Sequence, residues 1–386
     1  MSGICSARPG QTPESITWRE PVSDIAQIPT PAMIIDMAVV EDNVRRMADY
    51  ARQHNFRLRP HTKTHKLRFM AQLQLDHGAV GLTVAKVGEA HVMRGLCDDL
   101  LIAYPALDPY RVKQIASLAR ERIVRVAIDS IQAADALAQA ARSEGTTLGI
   151  LVELDVGFRR TGVQTADQSL AIAQHVDRTE HLRLDGLCFY PGHVKGRADE
   201  VTADMARIEA FLQEVIATWG RSGLKPTIVS GGSTPSAPYS HHIPSQTEIR
   251  PGTYIFNDVN TLACGVCTEA QCAATIVATV VSNAVPGKVV VDAGSKSLTR
   301  EYHNANPAFE GHGRVIGLPE ARIVRLSEEH GEIDITHCDR QPALGERLHI
   351  IPVHVCPSVN LHATVWLKHS DTHYEPVSID ARGLVC

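Results

Sequence analysis

The residues best suited to chemistry lie in one stretch, Arg59-Pro60-His61-Thr62-Lys63-Thr64-His65-Lys66. Two lysines, two histidines and a proline share eight residues. The stretch follows a short alternating piece, Phe56-Arg57-Leu58, and precedes a helical pattern that starts near Leu67. That order describes a strand end entering a loop. A lysine held there and stripped of water is a nucleophilic amine able to form a Schiff base with a carbonyl. A solvated basic loop has the same composition, so the surrounding elements must decide between the two.

Those elements alternate. An apolar strand at Ala32–Asp36 leads into a helical pattern over 38–54, with Val39, Val40, Val44 and Met47 at helical spacing. Strand patterns come next at 56–60, 80–85, 100–103, 123–128, 148–154, 184–189, 227–229 and 248–255. Helical patterns at 68–77, 87–94, 109–120, 131–143, 170–176 and 202–219 fall between most of them. Such alternation implies βαβ units and a parallel sheet. Eight strands after the first helix are the number that closes a (β/α)8 barrel, here over 38–258. A doubly wound open sheet is the competing topology, but no G-x-G-x-x-G follows the first strand. Beyond about 260 the pattern turns to short strands at 274–281, 289–292, 321–326, 347–353 and 363–367, separated by turn signals. This predicts an all-β domain of 259–386 that also takes the N-terminal segment 1–37 and its strand.

Barrel sites lie at the C-terminal strand ends. After the fifth strand comes Asp155-Val156-Gly157-Phe158-Arg159-Arg160-Thr161-Gly162, and after the sixth Tyr190-Pro191-Gly192-His193. After the seventh comes Ser230-Gly231-Gly232-Ser233-Thr234, and the eighth carries Gly252 and Tyr254. Glycines that allow close approach, free N–H groups and hydroxyls suit a phosphate, although Gly-Gly is also an ordinary turn. The loops after strands 7 and 8 often build such a cradle on barrels. A phosphate cradle on the same rim as a strand-end lysine points to pyridoxal phosphate. Arg160 is then placed to meet the cofactor's phenolate oxygen, and Tyr190 to pack against its ring.

A second constellation is His354-Val355-Cys356, at the end of an apolar strand. In an extended segment residues i and i+2 point the same way. One imidazole and one thiol suit zinc, with open positions for water or substrate. The set Cys264-x-x-Cys267 with Cys272 has metal-like spacing, but no second pair completes it, and buried thiols are the better reading.

The totals narrow the function classes. The chain has 386 residues, 44% hydrophobic and 21% charged, which suggests about two domains. A net charge of -5 gives no field for nucleic acid, and no apolar run approaches the ~18 residues of a membrane span. Residues 1–25 lack the apolar core of a secretory signal. The nine cysteines are accordingly expected to be reduced thiols in the cytoplasm.

With these residues in view, the chain resembles the fold-type III pyridoxal-phosphate enzymes related to alanine racemase. Within them it is similar to the D-threonine aldolase / D-serine dehydratase group. The resemblance runs from about Thr30 to the C-terminus. Besides the 59–66 stretch, it is carried by Lys86-Val87-Gly88-Glu89-Ala90, the 155–163 and 230–234 loops, Val291-Asp292-Ala293-Gly294-Ser295-Lys296, Ser327-Glu328-Glu329-His330-Gly331 and 354–362. It implies that the cofactor lysine is Lys63 and not Lys66. It implies a divalent metal, zinc or manganese, on His354 and Cys356, and a homodimer. It implies a small D-β-hydroxy-α-amino acid as substrate, cleaved to glycine and an aldehyde, or alternatively dehydrated to a 2-oxo acid and ammonia. Two positions depart from the aldolase pattern. Cys356 stands where aldolases often carry Asp, as in the dehydratases. Gly196 stands where aldolases often place a catalytic histidine, so His193 is expected to serve instead.

Overall fold

The computed structural model describes residues 20–195 and 198–386. Residues 1–19 of the expected N-terminal segment, and Gly196, lie outside the described residues. In chain order the elements are β1 (Ala32–Asp36), α1 (Met37–Gln53), β2 (Arg57–Leu58), α2 (Arg68–Asp76), β3 (Leu82–Val84), α3 (Val87–Met93), β4 (Asp99–Ile102), α4 (Pro109–Leu118) and β5 (Ile123–Ile128). Then come α5 (Ile131–Glu144), β6 (Leu148–Leu154), α6 (Ala166–Arg178), β7 (Leu182–Phe189), α7 (Ala198–Arg221), β8 (Ile228–Gly231), β9 (Glu248–Ile249) and α8 (Val259–Ala263). The remainder is β10 (Ala274–Ser282), β11 (Lys288–Val291), α9 (Ser295–Leu298), β12 (Gly313–Val315), β13 (Arg322–Leu326), β14 (Gly331–Asp334), β15 (Arg347–Pro352), α10 (Val355–Leu361), β16 (Thr364–Ser370) and β17 (His373–Ser378).

Local sequence explains the helices. In α5 the Ser130 side chain accepts from Ala133 N, and Gly145 ends the helix at φ 65°. Ala133, Ala134, Leu137, Ala140 and Ala141 form its buried stripe at helical spacing. The next strand, β6, is buried at all seven positions, as expected where helices cover a parallel sheet.

Eight parallel strands run in the order β2-β9-β8-β7-β6-β5-β4-β3. The two ends meet. Val80 N donates to Leu58 O at 2.9 Å, Thr83 N donates to Pro60 O at 2.9 Å, and His61 bridges Thr83. The expected barrel is therefore present. The second sheet is mostly antiparallel and takes in the N-terminal strand: β1 pairs antiparallel with β10 and parallel with β16.

Two expectations change. The strand expected over 248–255 shortens to β9, because Pro251 has no N–H for the ladder and the chain then turns through a 3-10 helix at Thr253–Ile255. The 355–361 segment is a helix, α10, not an extended run. Pro357 fits its first turn, and Val355 and Val359 are buried one turn apart.

The barrel seam is tied by charge. The Arg59 guanidinium is fully buried and donates to both Asp99 carboxylate oxygens at 2.8 and 3.0 Å and to Glu248 Oε2 at 2.9 Å. Arg125 bridges Asp99 to Asp185. Gly81 makes room for this, since a Cβ there would lie 2.5 Å from Arg59 Nη1. Replacing Arg59 by Met leaves Glu248 and Asp99 buried without their shared cation. The expected cost is about 3–5 kcal/mol, seen as a lower urea midpoint at unchanged slope.

Candidate active site

Lys63 sits in a 3-10 turn, Thr62–Thr64, just past the seam. His61 Nδ1 accepts from Lys63 N at 3.4 Å, and Thr62 Oγ1 donates to Thr83 O at 3.2 Å. The side chain enters a cavity of about 490 Å³ at the barrel mouth. The other lysine of the stretch points elsewhere. Lys66 is buried, with Nζ 3.3 Å from Glu89 Oε1 and 3.4 Å from Ala381 O. Burial pushes the Lys63 ammonium below the ordinary lysine value; Cys356 and Glu89 oppose the shift, and Arg160 and Arg250 add to it.

Across the cavity stand Arg160 and Tyr190. The Arg160 guanidinium lies 4.6 Å from the Tyr190 ring centre, and Lys63 Nζ lies 5.9 Å from it. Gly232, Ser233, Thr234 and Gly252 line the wall beside Lys63. Gly232 has φ 100°, a left-handed conformation that favours glycine. Gly252 packs under the lysine turn, and a Cβ there would lie 3.0 Å from Thr64 Oγ1. Gly231 and Tyr254 stand behind this wall. Gly231 leaves space for the Phe189 ring. Tyr254 donates its backbone N–H to Thr234 Oγ1 at 3.0 Å, and its hydroxyl accepts from Gln74 Nε2 at 2.9 Å within the core.

The floor carries groups that sequence reasoning left unassigned: Glu153, Cys188 and Arg250. Thr161 Oγ1 donates to Glu153 Oε1 at 2.7 Å, while burial raises the Glu153 pKa. Arg250 donates to Phe189 O at 2.8 Å. Its Nε has no hydrogen-bond partner among the described residues. The available signal for Glu153 was a single charge inside the otherwise apolar run of β6.

The second domain supplies His354 and Cys356. His354 is the extended N-cap of α10, and Cys356 lies in its first turn. Their closeness therefore comes from a helix start, not from strand alternation. Cys356 Sγ lies 3.1 Å from Thr64 Oγ1 and 3.7 Å from Thr253 Oγ1. Burial alone would lower the His354 pKa, but hydrogen bonds to Cys356 and Glu301 outweigh it and raise the value to about 11. Burial alone would raise the Cys356 thiol; His354, Lys63 and Thr64 bring it below the ordinary value. Each group thus favours the charged form of the other. Asp258 anchors the segment by accepting from Val355 N at 3.1 Å. No group of three or more His, Cys, Asp or Glu arranged for a metal occurs among the described residues. A metal on this pair would keep open positions.

His193 does not line this cavity. Its ring packs against Gly157 and faces a neighbouring crevice of about 420 Å³. Its Nδ1 is buried with no partner among the described residues.

A barrel with a buried lysine at a strand end, facing a glycine- and hydroxyl-rich wall, has the build of a small-molecule enzyme. The family model described as "Alanine racemase, N-terminal domain" matches residues 35–259, and "Putative serine dehydratase domain" matches 273–367. The chain belongs to the alanine racemase N-terminal domain family. It is 31% identical to a D-threonine aldolase from Arthrobacter sp, covering 94% of this chain and 95% of that one. It is 31% identical to a D-threo-3-hydroxyaspartate dehydratase from Delftia sp., covering 85% and 90%. Among solved structures it is similar to D-threonine aldolase from Filomicrobium marinum, with a TM-score of 0.87 and 31% identity over 95% of this chain and 99% of that one.

The buried histidines of the lysine stretch make the site acid-sensitive. Burial lowers His65 to about 4 and His61 well below its ordinary value. Between about pH 6.5 and 4 the unfolded chain takes up protons at these positions and the folded chain does not, so stability falls as pH falls. For His65 alone the loss is about 3 kcal/mol. Urea unfolding across this window should show that slope, and His65→Asn should flatten it.

Proposed function

We propose that the protein is a pyridoxal-phosphate-dependent lyase. It takes D-β-hydroxy-α-amino acids and breaks the Cα–Cβ bond, giving glycine and an aldehyde. One observation carries this reading: the His354–Cys356 segment packs directly against the lysine turn, with Cys356 Sγ 3.1 Å from the hydroxyl of Thr64, the residue after the lysine, and 3.7 Å from that of Thr253 on the cavity wall. An amine for the cofactor and an imidazole–thiol pair thereby stand on either side of one turn. The similarity to aldolases and dehydratases supports the reaction class.

The residues fit the cofactor. About 490 Å³ is within the usual range for such sites. Lys63 is desolvated, and Arg250 Nε is an orphaned buried donor. Pyridoxal phosphate held here would supply a carbonyl for the Lys63 amine and an electron sink at Cα. Gly232, Ser233, Thr234 and Gly252 hold the phosphate, with Tyr254 fixing Thr234 and Gly231 admitting Phe189 behind the wall. Arg160 and Tyr190 orient the ring. His354 and Cys356 would hold a divalent cation, zinc or manganese, which would supply Lewis acidity toward the β-hydroxyl. His193 is offered as the base for the hydroxyl proton. Its unpartnered buried Nδ1 supports that role, and its place on the adjacent crevice counts against it.

A second reading is dehydration to a 2-oxo acid and ammonia. A thiol at 356 and the position of His193 off the cavity wall both favour it, since this route needs no hydroxyl base. Lys63 then removes the Cα proton instead. Given D-threonine, cofactor and metal, the protein should release glycine and acetaldehyde in equal amounts. Ammonia with 2-oxobutanoate and no glycine would replace the first reading by the second. Lys63→Ala should abolish the visible absorbance of the cofactor-loaded protein, whereas Lys66→Met should keep it. A chelator should lower turnover at least tenfold; unchanged turnover would remove His354 and Cys356 from the chemistry.

A further inference from the structure

The loop that follows α9, residues 299–312, has no part in the proposed reaction, yet one of its side chains reaches the His354 ring. His354 Nδ1 donates to Glu301 Oε1 at 3.1 Å, and the two residues lie 53 positions apart in the chain. The contact is anchored on both sides. In the loop, Glu301 N donates to Thr299 Oγ1 at 3.3 Å, and Glu301 O accepts from His312 Nδ1 at 2.9 Å. His303 and Gly311 pair as an antiparallel bridge, and His303 Nδ1 meets Asn260 Oδ1 at 3.2 Å. In the helix, Asp258 Oδ2 accepts from Val355 N at 3.1 Å, and Ser358 Oγ donates to Ser297 O at 2.7 Å. Carboxylate and ring are therefore presented to each other by backbone that is already tied down.

Stability does not account for the pair. The His354 and Glu301 side chains are 37% and 44% exposed, and an ion pair so open to water adds little to folding. Its consequence lies in the ring. An imidazole has two nitrogens, and a cation binds only the one that carries no proton. With Nδ1 donating to a carboxylate, that nitrogen keeps its hydrogen, and Nε2 alone is free to bind a cation. A carboxylate on the far nitrogen also fixes the rotation of the ring and makes it a more basic ligand.

We propose that Glu301 is a positioning residue for the cation site. It fixes His354 as the Nδ1–H tautomer and so assigns Nε2 as the atom that binds the divalent ion shared with the Cys356 sulfur. This rests on the reading that His354 and Cys356 hold such an ion.

Glu301 does this without becoming a ligand. The two ring nitrogens point away from each other, so a carboxylate on Nδ1 takes up no coordination position. That agrees with the lack, among the described residues, of any group of three His, Cys, Asp or Glu arranged for a metal. The ion gains a negative charge nearby and keeps its open positions for water and substrate. The β-domain thereby contributes both the two ligands and the group that orients one of them.

The test measures zinc affinity of the cofactor-loaded protein by competition with a chromophoric chelator. His354→Ala first establishes that the ion is bound at this ring. Glu301→Ala should then raise the zinc dissociation constant roughly 10–100-fold, with the cofactor absorbance unchanged. Glu301→Gln should raise it by a smaller factor, because its amide oxygen still accepts from Nδ1 but carries no charge. Mere loss of a nearby charge would weaken both variants equally, and that result would overturn the positioning role. An affinity equal to that of the unmutated protein in either variant would also overturn it, so one folded variant is enough. No zinc binding, or binding that His354→Ala leaves intact, would instead overturn the cation reading itself, and the role of Glu301 with it.

Discussion

The molecule depends on a buried guanidinium at a seam. Eight strands close only if β2 meets both β9 and β3, and β2 is two residues long. So short a strand supplies few ladder bonds. Arg59 adds what the ladder lacks, reaching Glu248 on one side and Asp99 on the other without exposure to water. A charge pair at that depth is a poor source of stability compared with apolar packing, but it is demanding about geometry. Only one arrangement of β2, β4 and β9 satisfies the fork. His61, two residues later, caps the turn that carries Lys63, so the position of the lysine is inherited from this seam.

The second constraint is the contact between domains. Thr64 and Thr253 of the barrel meet Cys356 of the β-domain. Asp258, at the start of α8, receives the N–H of Val355. Further along, Ser358 Oγ donates to Ser297 O at 2.7 Å, which fixes α10 against α9. The helix start that presents His354 and Cys356 is thus held from both sides. Its carboxylate neighbours, Asp258 and Glu301, favour the charged imidazole.

The architecture was legible because it rests on periodicity. Strands such as β5 and β6 are apolar runs interrupted by one charge each, Arg125 and Glu153, and their limits match the pattern residue for residue. Elements that depend on partners were not legible. β17 reads as a polar segment, His373 to Ser378 with Pro376 inside, and becomes a strand only by pairing with β16. β12 is three residues long and contains a glycine at φ 158°. The α10 start was hidden because His-x-Cys fits an extended spacing equally well, and only Pro357 and the Val355/Val359 pair argued for a helix. Within the cavity, Lys63, Arg160 and Tyr190 were legible because they lie just past strand ends, where a barrel places its site. Glu153 sits inside β6, and Arg250 fell inside the strand expected over 248–255, where a charge is more often part of a buried network like that of Arg59.

Electrostatics then link the two domains into one site. Arg160 and Arg250, both from the barrel, repel the Lys63 ammonium, and burial removes its solvation. Cys356 opposes part of that shift, and His354 and Lys63 in turn bring its thiol below the ordinary value. Each partner therefore needs the other: the sulfur keeps the ammonium from falling further, and the ammonium favours the ionised thiol. To hold a divalent cation, the His354 imidazole must be neutral and the Cys356 sulfur anionic. A cation held there would draw off one His354 ring proton and share the sulfur's charge, and so would weaken the counter-charge that Cys356 offers to Lys63 in the turn after the first barrel strand.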